Sequence, residues 1–416
     1  MSRIIFIESN TTGTGEDFLR QARALEVEPL LLTRDIRRYP FARLEGFDFR
    51  TIDTEDADRI FRTCKEIQRS FPIVAVTSSS EYSVPIAAQV ARALQLLGPD
   101  PQAVRRCRDK EYQRRALHRV GLPVPEWRVA NTVEDARRAA DELKSPVVCK
   151  PVLGSGSVGV RLVENAHAAR QHAQTLFEDE ATARGVIGPP RVLVEEFVDG
   201  PEFSVEVFHD RVVGITAKLL SEHPHFVELG HDFPAPLDLE LSQELKQSAL
   251  QAIRALGLTF GPVHVEMRVG KRGPVIIEVN PRLAGGLIPE LVRLAAGVDL
   301  VRASVLLVCG DQRRLDFTAR RHASIRFLMP VAEGKLTRIE GAEDARRVRR
   351  IDEVRIYRKY GDRISLRGDF RDRCGHVISV GNDSPRTRMA AEHALGAIQL
   401  RVSSPPAPRV TVGEDP

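Results

Sequence analysis

Three groups of residues in this 416-residue chain have side-chain types and spacings suited to phosphate and hard cations. The first is the run Gly154-Ser155-Gly156-Ser157-Val158-Gly159. It matches G-x-G-x-x-G, yet a dinucleotide fingerprint must pass from a strand into a helix whose N-terminus holds a pyrophosphate. Here the next residues, Val160-Arg161-Leu162-Val163, alternate with the period of a strand, so the glycines form the tip of a hairpin. A hairpin of such small residues can fold over a polyphosphate and offer it backbone N–H groups without side-chain clashes. The second group is cationic. Lys150 lies in the apolar strand Val147-Val148-Cys149-Lys150-Pro151, where an unpaired ammonium is costly and a phosphate is a reasonable partner. Lys110 is a further candidate, though in an Arg-rich helix it could equally be a surface residue.

The third group is acidic. Glu266 and Glu278 fall on the two strands of an expected hairpin, 263–269 and 274–279. A three-residue loop centred on Arg272 would set them directly opposite each other. A loop of two or four residues would put them on opposite faces, so a shared site requires an odd count or a bulge. Two carboxylates that close repel unless a cation lies between them. Asn280 follows two residues after Glu278, on the same face, and Arg282 two residues later. Glu266, Glu278 and Asn280 supply the hard oxygen ligands that Mg²⁺ prefers, with phosphate oxygens and water completing an octahedron. The flanking Val275-Ile276-Ile277 and Val279 are too apolar for a solvent-facing strand. His223, His225 and His231 lack the helical H-x-x-x-H spacing of a zinc site.

The elements that must position these groups can be read coarsely. In the first hundred residues, short apolar strands (4–7, 30–32 and 73–76) alternate with helices, the pattern of a parallel, doubly wound sheet. Gly98-Pro99-Asp100-Pro101 reads as a linker. A helix over 102–120 leads to a strand near Arg128, a helix over 132–143 and the strand 146–152 before the glycine hairpin. Strands follow at 191–197, 202–208 and 211–219. A long loop over 221–237 precedes a helix to Leu256, and helices fill 287–309. The remainder mixes strands (323–327, 353–357, 376–380) with a helix near 387–398. The expected domains are 1–100, 101–310 and 311–402, with residues 403–416 a disordered tail.

Composition excludes several classes. Hydrophobic content of 42% and charged content of 28% are those of a soluble globular protein. The 61 basic and 57 acidic residues are interspersed, giving +4 overall, which supports neither a nucleic-acid nor a membrane-surface partner. The run Arg346-Arg347-Val348-Arg349-Arg350 reads as a solvated face. The five cysteines are scattered without C-x-x-C spacing and read as thiols in a reducing cytosol. No signal-peptide core or membrane-length apolar stretch is present, so a cytoplasmic location is expected.

Taken in order, Asp109-Lys110, Lys150-Pro151 with the glycine hairpin, Val194-Glu195-Glu196-Phe197-Val198-Asp199-Gly200-Pro201-Glu202, Glu266 and Glu278-Val279-Asn280-Pro281-Arg282 resemble the ATP-grasp superfamily. The resemblance covers about residues 1–400. It implies an α/β protein, α+β in its nucleotide-clamping part: a Rossmann-like N-terminal domain, a split ATP-grasp domain and a small C-terminal α+β cap. Lys110 and Lys150 would bind ATP phosphates under the loop Gly154, Ser155, Gly156, Ser157 and Gly159. In the segment Glu195, Glu196, Phe197 and Val198, Glu195 would face the adenine amino group and the backbone of Glu196 and Val198 would form the hinge. Glu202 would hold the ribose. Glu266, Glu278 and Asn280 would bind two Mg²⁺ ions, with Mn²⁺ an alternative, and Arg282 would steady the transferring phosphoryl group or the tetrahedral intermediate.

Within the superfamily, Asn280-Pro281-Arg282-Leu283-Ala284-Gly285-Gly286 and Glu228-Leu229-Gly230-His231-Asp232-Phe233-Pro234-Ala235 resemble the L-amino acid ligase branch. His231, Gly285 and Gly286 would then line an acceptor pocket. The activity so implied is ATP-dependent joining of a carboxylate to an amine through an acyl phosphate, with small-molecule substrates and an amino acid among them. A homodimer is compatible with this, and no general base is legible. The competing readings are a carboxylase making carboxyphosphate from bicarbonate and a non-catalytic nucleotide-binding regulator. A third, a nicotinamide oxidoreductase, is opposed by the strand after Gly159.

Overall fold

A computed structural model describes residues 2–11, 13–179, 189–311 and 315–403. Residues 404–416, within the tail expected to be disordered, lie outside the described residues. At the N-terminus four parallel strands stand in the order Asp48–Thr51, Glu28–Thr33, Arg3–Ile7, Ile73–Thr77. Successive side chains of a strand face opposite sides. Ile4 and Phe6 meet Phe18 and Leu19 of the helix Gly15–Ala24, while Ile5 and Ile7 meet Ile60 and Cys64 of the helix Ala57–Gln68. Both faces are covered, which is why these strands are continuously apolar. Part of the cover returns from far along the chain: Val301, Val305 and Val308 of the helix Leu300–Val308 pack on the first face.

The helix expected over 102–120 is two helices, Pro101–Cys107 and Lys110–Arg119. Asp109 divides them because its backbone is extended and its carboxylate accepts from the Tyr112 N–H at 2.9 Å, capping the second helix. Lys110 therefore sits at that helix's first position. Next comes an antiparallel sheet in the order Trp127–Ala130, Val192–Glu196, Val147–Pro151, Arg161–Val163. The helices Val133–Glu142 and Ala166–Glu178 cover it through Ala136, Ala140, Ala169 and Ala173.

The largest sheet has eight antiparallel strands: Gly273–Asn280, Pro262–Gly270, Glu202–Phe208, Arg211–Leu220, Glu228–Phe233, His322–Leu328, Gly375–Gly381 and Ile351–Ile356, in that order. The strand Glu228–Phe233 lies within residues 221–237, where a loop was expected. Its charged residues find partners on neighbouring strands, Glu228 at Lys218 and Asp232 at Arg326, and sequence spacing does not reveal such pairs. This strand also carries the hydrogen-bond ladder past residue 310, so the nucleotide-clamping and C-terminal parts share one sheet. A separate small sheet of Arg363–Ile364, Gly334–Glu340 and Gln399–Ser403 was not foreseen.

Candidate active site

The glycine run is the tip of a hairpin: Val147 pairs with Val163 and Cys149 with Arg161. At Gly156, φ is +66° and a Cβ would come within 2.7 Å of the Phe370 ring, so both the turn and the close approach require glycine. Gly154, Ser155, Gly156 and Ser157 line a cleft of about 920 Å³, whereas Gly159 stands at the loop's base with its carbonyl 3.0 Å from His172 Nε2.

Both predicted lysines are buried beside this loop. Lys110 Nζ donates to the Gly154 carbonyl at 2.9 Å and lies 3.2 Å from Glu278 Oε1. Lys150 Nζ lies 2.5 Å from Glu195 Oε2. Burial pulls the Lys150 pKa below the ordinary lysine value, and the adjacent Arg114 and Lys110 add to this against the pull of Glu195. Glu195 also meets Arg114, a fully buried residue that the sequence reading missed. Both carboxylate oxygens of Glu195 are thus engaged by cations. The side chain expected to face an adenine amino group lines the cleft and stands as the counter-ion between Arg114 and Lys150. Glu196, Phe197, Val198 and Glu202 line the cleft beside it, with the Arg268 guanidinium 5.2 Å from the Phe197 ring centroid.

Glu266 and Glu278 are directly opposed, by a route the loop count alone did not select. The connecting loop holds only Lys271 and Arg272, and a bulge between Glu266 and Met267 in the pairing restores the shared face. Glu266 Oε1 lies 2.9 Å from Lys218 Nζ and 2.9 Å from His264 Nε2. Lys218, also missed, holds Glu202 at 3.1 Å and Glu228 at 2.9 Å as well. Burial disfavours its charge, but the three carboxylates outweigh that and raise its pKa well above the ordinary value. On its far side His264 bonds Glu206 at 2.9 Å, and although burial opposes it, the two carboxylates push the imidazole up to about 9. Asn280 is buried and lines the cleft. Among the described residues no cluster of three or more His, Cys, Asp or Glu side chains could hold a metal by itself. Two opposed carboxylates with one amide, flanked by cations and open to the cleft, instead suit Mg²⁺ that brings ligands with it from phosphate or water.

Arg282 is anchored from the N-terminal sheet. Its Nε and Nη2 reach Glu81 Oε2 at 2.9 and 2.6 Å, and Glu81 also meets Arg108. Glu81 follows the strand Ile73–Thr77. The carboxyl end of a parallel strand, where open α/β sheets present ligand-binding groups, was the signal that could have found it. Gly285 and Gly286 line the cleft, but His231 does not: it is fully buried behind Gly286, where a Cβ would come 2.4 Å from His231 Nε2. Burial lowers the His231 pKa to about 3, so the ring is neutral; it stands edge-on to Phe327 at 5.6 Å.

Residues 143–290 match the ATP-grasp domain and residues 326–403 match L-amino acid ligase C-terminal domain 2. The chain belongs to the ATP-grasp superfamily of ligases, and its C-terminal part is of the L-amino acid ligase type. It is 34% identical over 403 residues to the protein y4rH of Sinorhizobium fredii, covering 97% of this chain and 84% of the relative. It is 31% identical over 274 residues to carnosine synthase 1 of Gallus gallus, covering 62% of this chain but only 29% of that longer protein. The fold matches the crystal structure of an L-amino acid ligase from Bacillus licheniformis with a TM-score of 0.84, at 22% identity over 97% of this chain and 99% of the other. ATP-grasp domains bind ATP with Mg²⁺. Among the described residues no helix is long and apolar enough to cross a membrane.

Proposed function

We propose that the protein activates a carboxylic acid as an acyl phosphate with ATP and transfers the acyl group to the amine of an amino acid, releasing ADP and phosphate. The observation that carries this reading is the direct opposition of Glu266 and Glu278 beside the glycine hairpin, with Asn280 ending the same strand and Arg282 in the turn just beyond, both lining the cleft. A carboxylate does not react with an amine at neutral pH because oxide is a poor leaving group, whereas phosphate is a good one. The chain's task is positioning and charge neutralisation.

In this reading the backbone of Glu196 and Val198 meets the base, Glu202 the ribose, and Lys110 and Lys150 the phosphates under the loop 154–159. Glu266, Glu278 and Asn280 would hold two Mg²⁺ ions, whose contribution is to neutralise charge on the triphosphate oxygens. Arg282, steadied by Glu81, faces the transferring phosphoryl group and then the tetrahedral intermediate. Closure of the hairpin excludes water, which would otherwise hydrolyse the acyl phosphate. The amine nitrogen forms the C–N bond, the C–O bond to phosphate breaks with its electron pair leaving on phosphate, and an amine proton is released. His231 and the glycines at 285 and 286 shape the pocket where this occurs.

A screen of MgATP with pairs of carboxylic and amino acids tests the proposal. Phosphate is expected one-for-one with an amide product, with ADP as the nucleotide. AMP as the stoichiometric nucleotide would overturn the acyl-phosphate route, and ADP release that needs bicarbonate but no amino acid would replace the ligase reading with a carboxylase.

A further inference from the structure

Most cations that line the cleft are paired with carboxylates; Arg268 is held by the Gly200 carbonyl and the Phe197 and Phe226 rings. Lys110, Lys150, Lys218 and Arg282 each stand within 3.2 Å of a carboxylate. The wall formed by the strand Ile351–Ile356 and the segment after it is different. Among the described residues, the guanidinium groups of Arg355 and Arg367 have no hydrogen-bond or ion-pair partner, although both residues line the cleft. Arg358, also lining it, reaches the Arg371 carbonyl at 2.9 Å and the Cys374 thiol, and its Nε is buried without a partner. Three guanidinium groups thus face the cleft without an ion pair; the Glu353 carboxylate on the Arg355 face of the strand is bonded to His376 instead.

The floor between this wall and the reacting groups is well defined. Arg355 pairs in register with His376, and His376 with Phe327, so the three side chains share one face of the sheet. The His376 ring is fixed from both sides, with Tyr357 Oη 2.5 Å from Nδ1 and Glu353 Oε2 3.2 Å from Nε2. Phe327 lies under Arg373, which is bonded to Glu228 at 2.9 Å, and Glu228 in turn holds Lys218. A continuous path therefore runs from the Glu266–Glu278 pair, past Glu228, to the arginines of this wall.

Three like charges on one concave wall repel each other, and no hydrogen bond of the fold uses the groups of Arg355 or Arg367. Their natural complement is carboxylate, whose two oxygens match the guanidinium fork. The α-carboxylate of a neutral amino acid would balance only one of the three. We infer that the amine substrate is an amino dicarboxylic acid, its carboxylates held by Arg355, Arg358 and Arg367 and its amino group directed back toward Glu228 and the paired glutamates. This deepens the ligase reading and rests on it. It also assigns the wall a selective role: carboxylates held there are kept away from the phosphoryl group, so the other substrate is the one activated.

The test is binding calorimetry on the full chain with Mg²⁺ and a non-hydrolysable ATP analogue, using L-glutamate, L-aspartate and L-glutamine as probes. One acidic amino acid is expected to bind at least ~10-fold more tightly than L-glutamine, as loss of a charged hydrogen-bonded group predicts. The double variant Arg355→Gln, Arg367→Gln should weaken that acid by ~10-fold or more, with L-glutamine and the ATP analogue changed by less than about threefold. Both residues are exposed, and the charge-preserving Arg355→Lys, Arg367→Lys protein should bind the acid more tightly than the glutamine variant does. Equal binding of L-glutamine and both acids would overturn the inference. So would a variant that weakens only the ATP analogue, because the arginines would then belong to the nucleotide phosphates. Because the readout is binding, its failure is separate from that of the ligase reading, which stands or falls on phosphate release and product.

Discussion

The two ends of the cleft treat charge in opposite ways. At the glycine-hairpin end, four buried cations are matched by carboxylates, Lys150 and Arg114 by Glu195, Lys110 by Glu278, and Lys218 by Glu202, Glu228 and Glu266, while Arg268 is held by the Gly200 carbonyl. At the C-terminal wall, Arg355 and Arg367 are exposed and make no ion pair. Buried charges must be neutralised before any ligand arrives, because leaving one alone in a low-dielectric interior costs several kcal/mol. Exposed guanidinium groups carry no such requirement and can wait in water for a partner. The contrast teaches that a site can hold its reacting groups rigidly at one end and leave selection to the other, where substitutions cost little stability.

The sharpest way to break the comparison is to remove a matching cation. Lys218→Met would leave Glu202, Glu228 and Glu266 facing one another without their shared ammonium. Its expected cost is about 3–5 kcal/mol of unfolding free energy in urea, the usual penalty for breaking a buried charge network. A loss under about 1 kcal/mol would mean that this end is no more self-balanced than the wall. Next comes Glu278→Gln, which removes one charge at nearly constant volume. Turnover should fall by about a hundredfold or more, as for loss of a preorganised electrostatic element, with little change in the thermal transition. Near-native turnover at limiting Mg²⁺ would remove the carboxylate pair from the chemistry.

The smallest effect is expected where the two ends meet. His231, lowered to about 3 by burial, stays neutral while the unfolded chain takes up a proton near pH 6.5. The unfolded state then binds more protons, so stability falls as pH drops from about 6.5 toward 3. Between pH 7 and pH 5 the loss should be on the order of 1–2 kcal/mol, and His231→Asn should flatten it. His264 has the opposite sign: raised to about 9, its contribution is full below about pH 6.5 and is lost as pH rises through 9. If the acid limb persists unchanged in the Asn variant, the burial argument for His231 fails.

Local signals were legible and long-range ones were not. The glycine hairpin was readable because strand alternation resumes immediately after Gly159. The opposition of Glu266 and Glu278 was readable as a requirement, though the bulge that meets it was not chosen over a three-residue loop. Lys150 was found as an ammonium in an apolar strand, and the same signal stood at Lys218, between Ala217 and Leu219-Leu220, where it was not used. Arg114 and Glu81 look like surface charges on an Arg-rich helix and a serine-rich turn, and only partners 81 and 201 residues away show them to be buried. The strand Glu228–Phe233 was hidden for the same reason, since its stabilising pairs lie on strands brought together by topology.

The helix Leu300–Val308 has a further consequence for recombination. It leaves the catalytic part of the chain to cover the N-terminal sheet, burying Val301, Val305 and Val308 against Ile4, Phe6 and Leu31. A fragment cut near residue 100 would strip this cover from one piece and leave a bare apolar stripe on the other, inviting aggregation of both. Chimeras that aim to move substrate preference between relatives should therefore keep the first hundred residues and this helix from the same parent, and exchange instead the arginine-bearing segment 355–373, whose cleft-facing side chains are largely open to water.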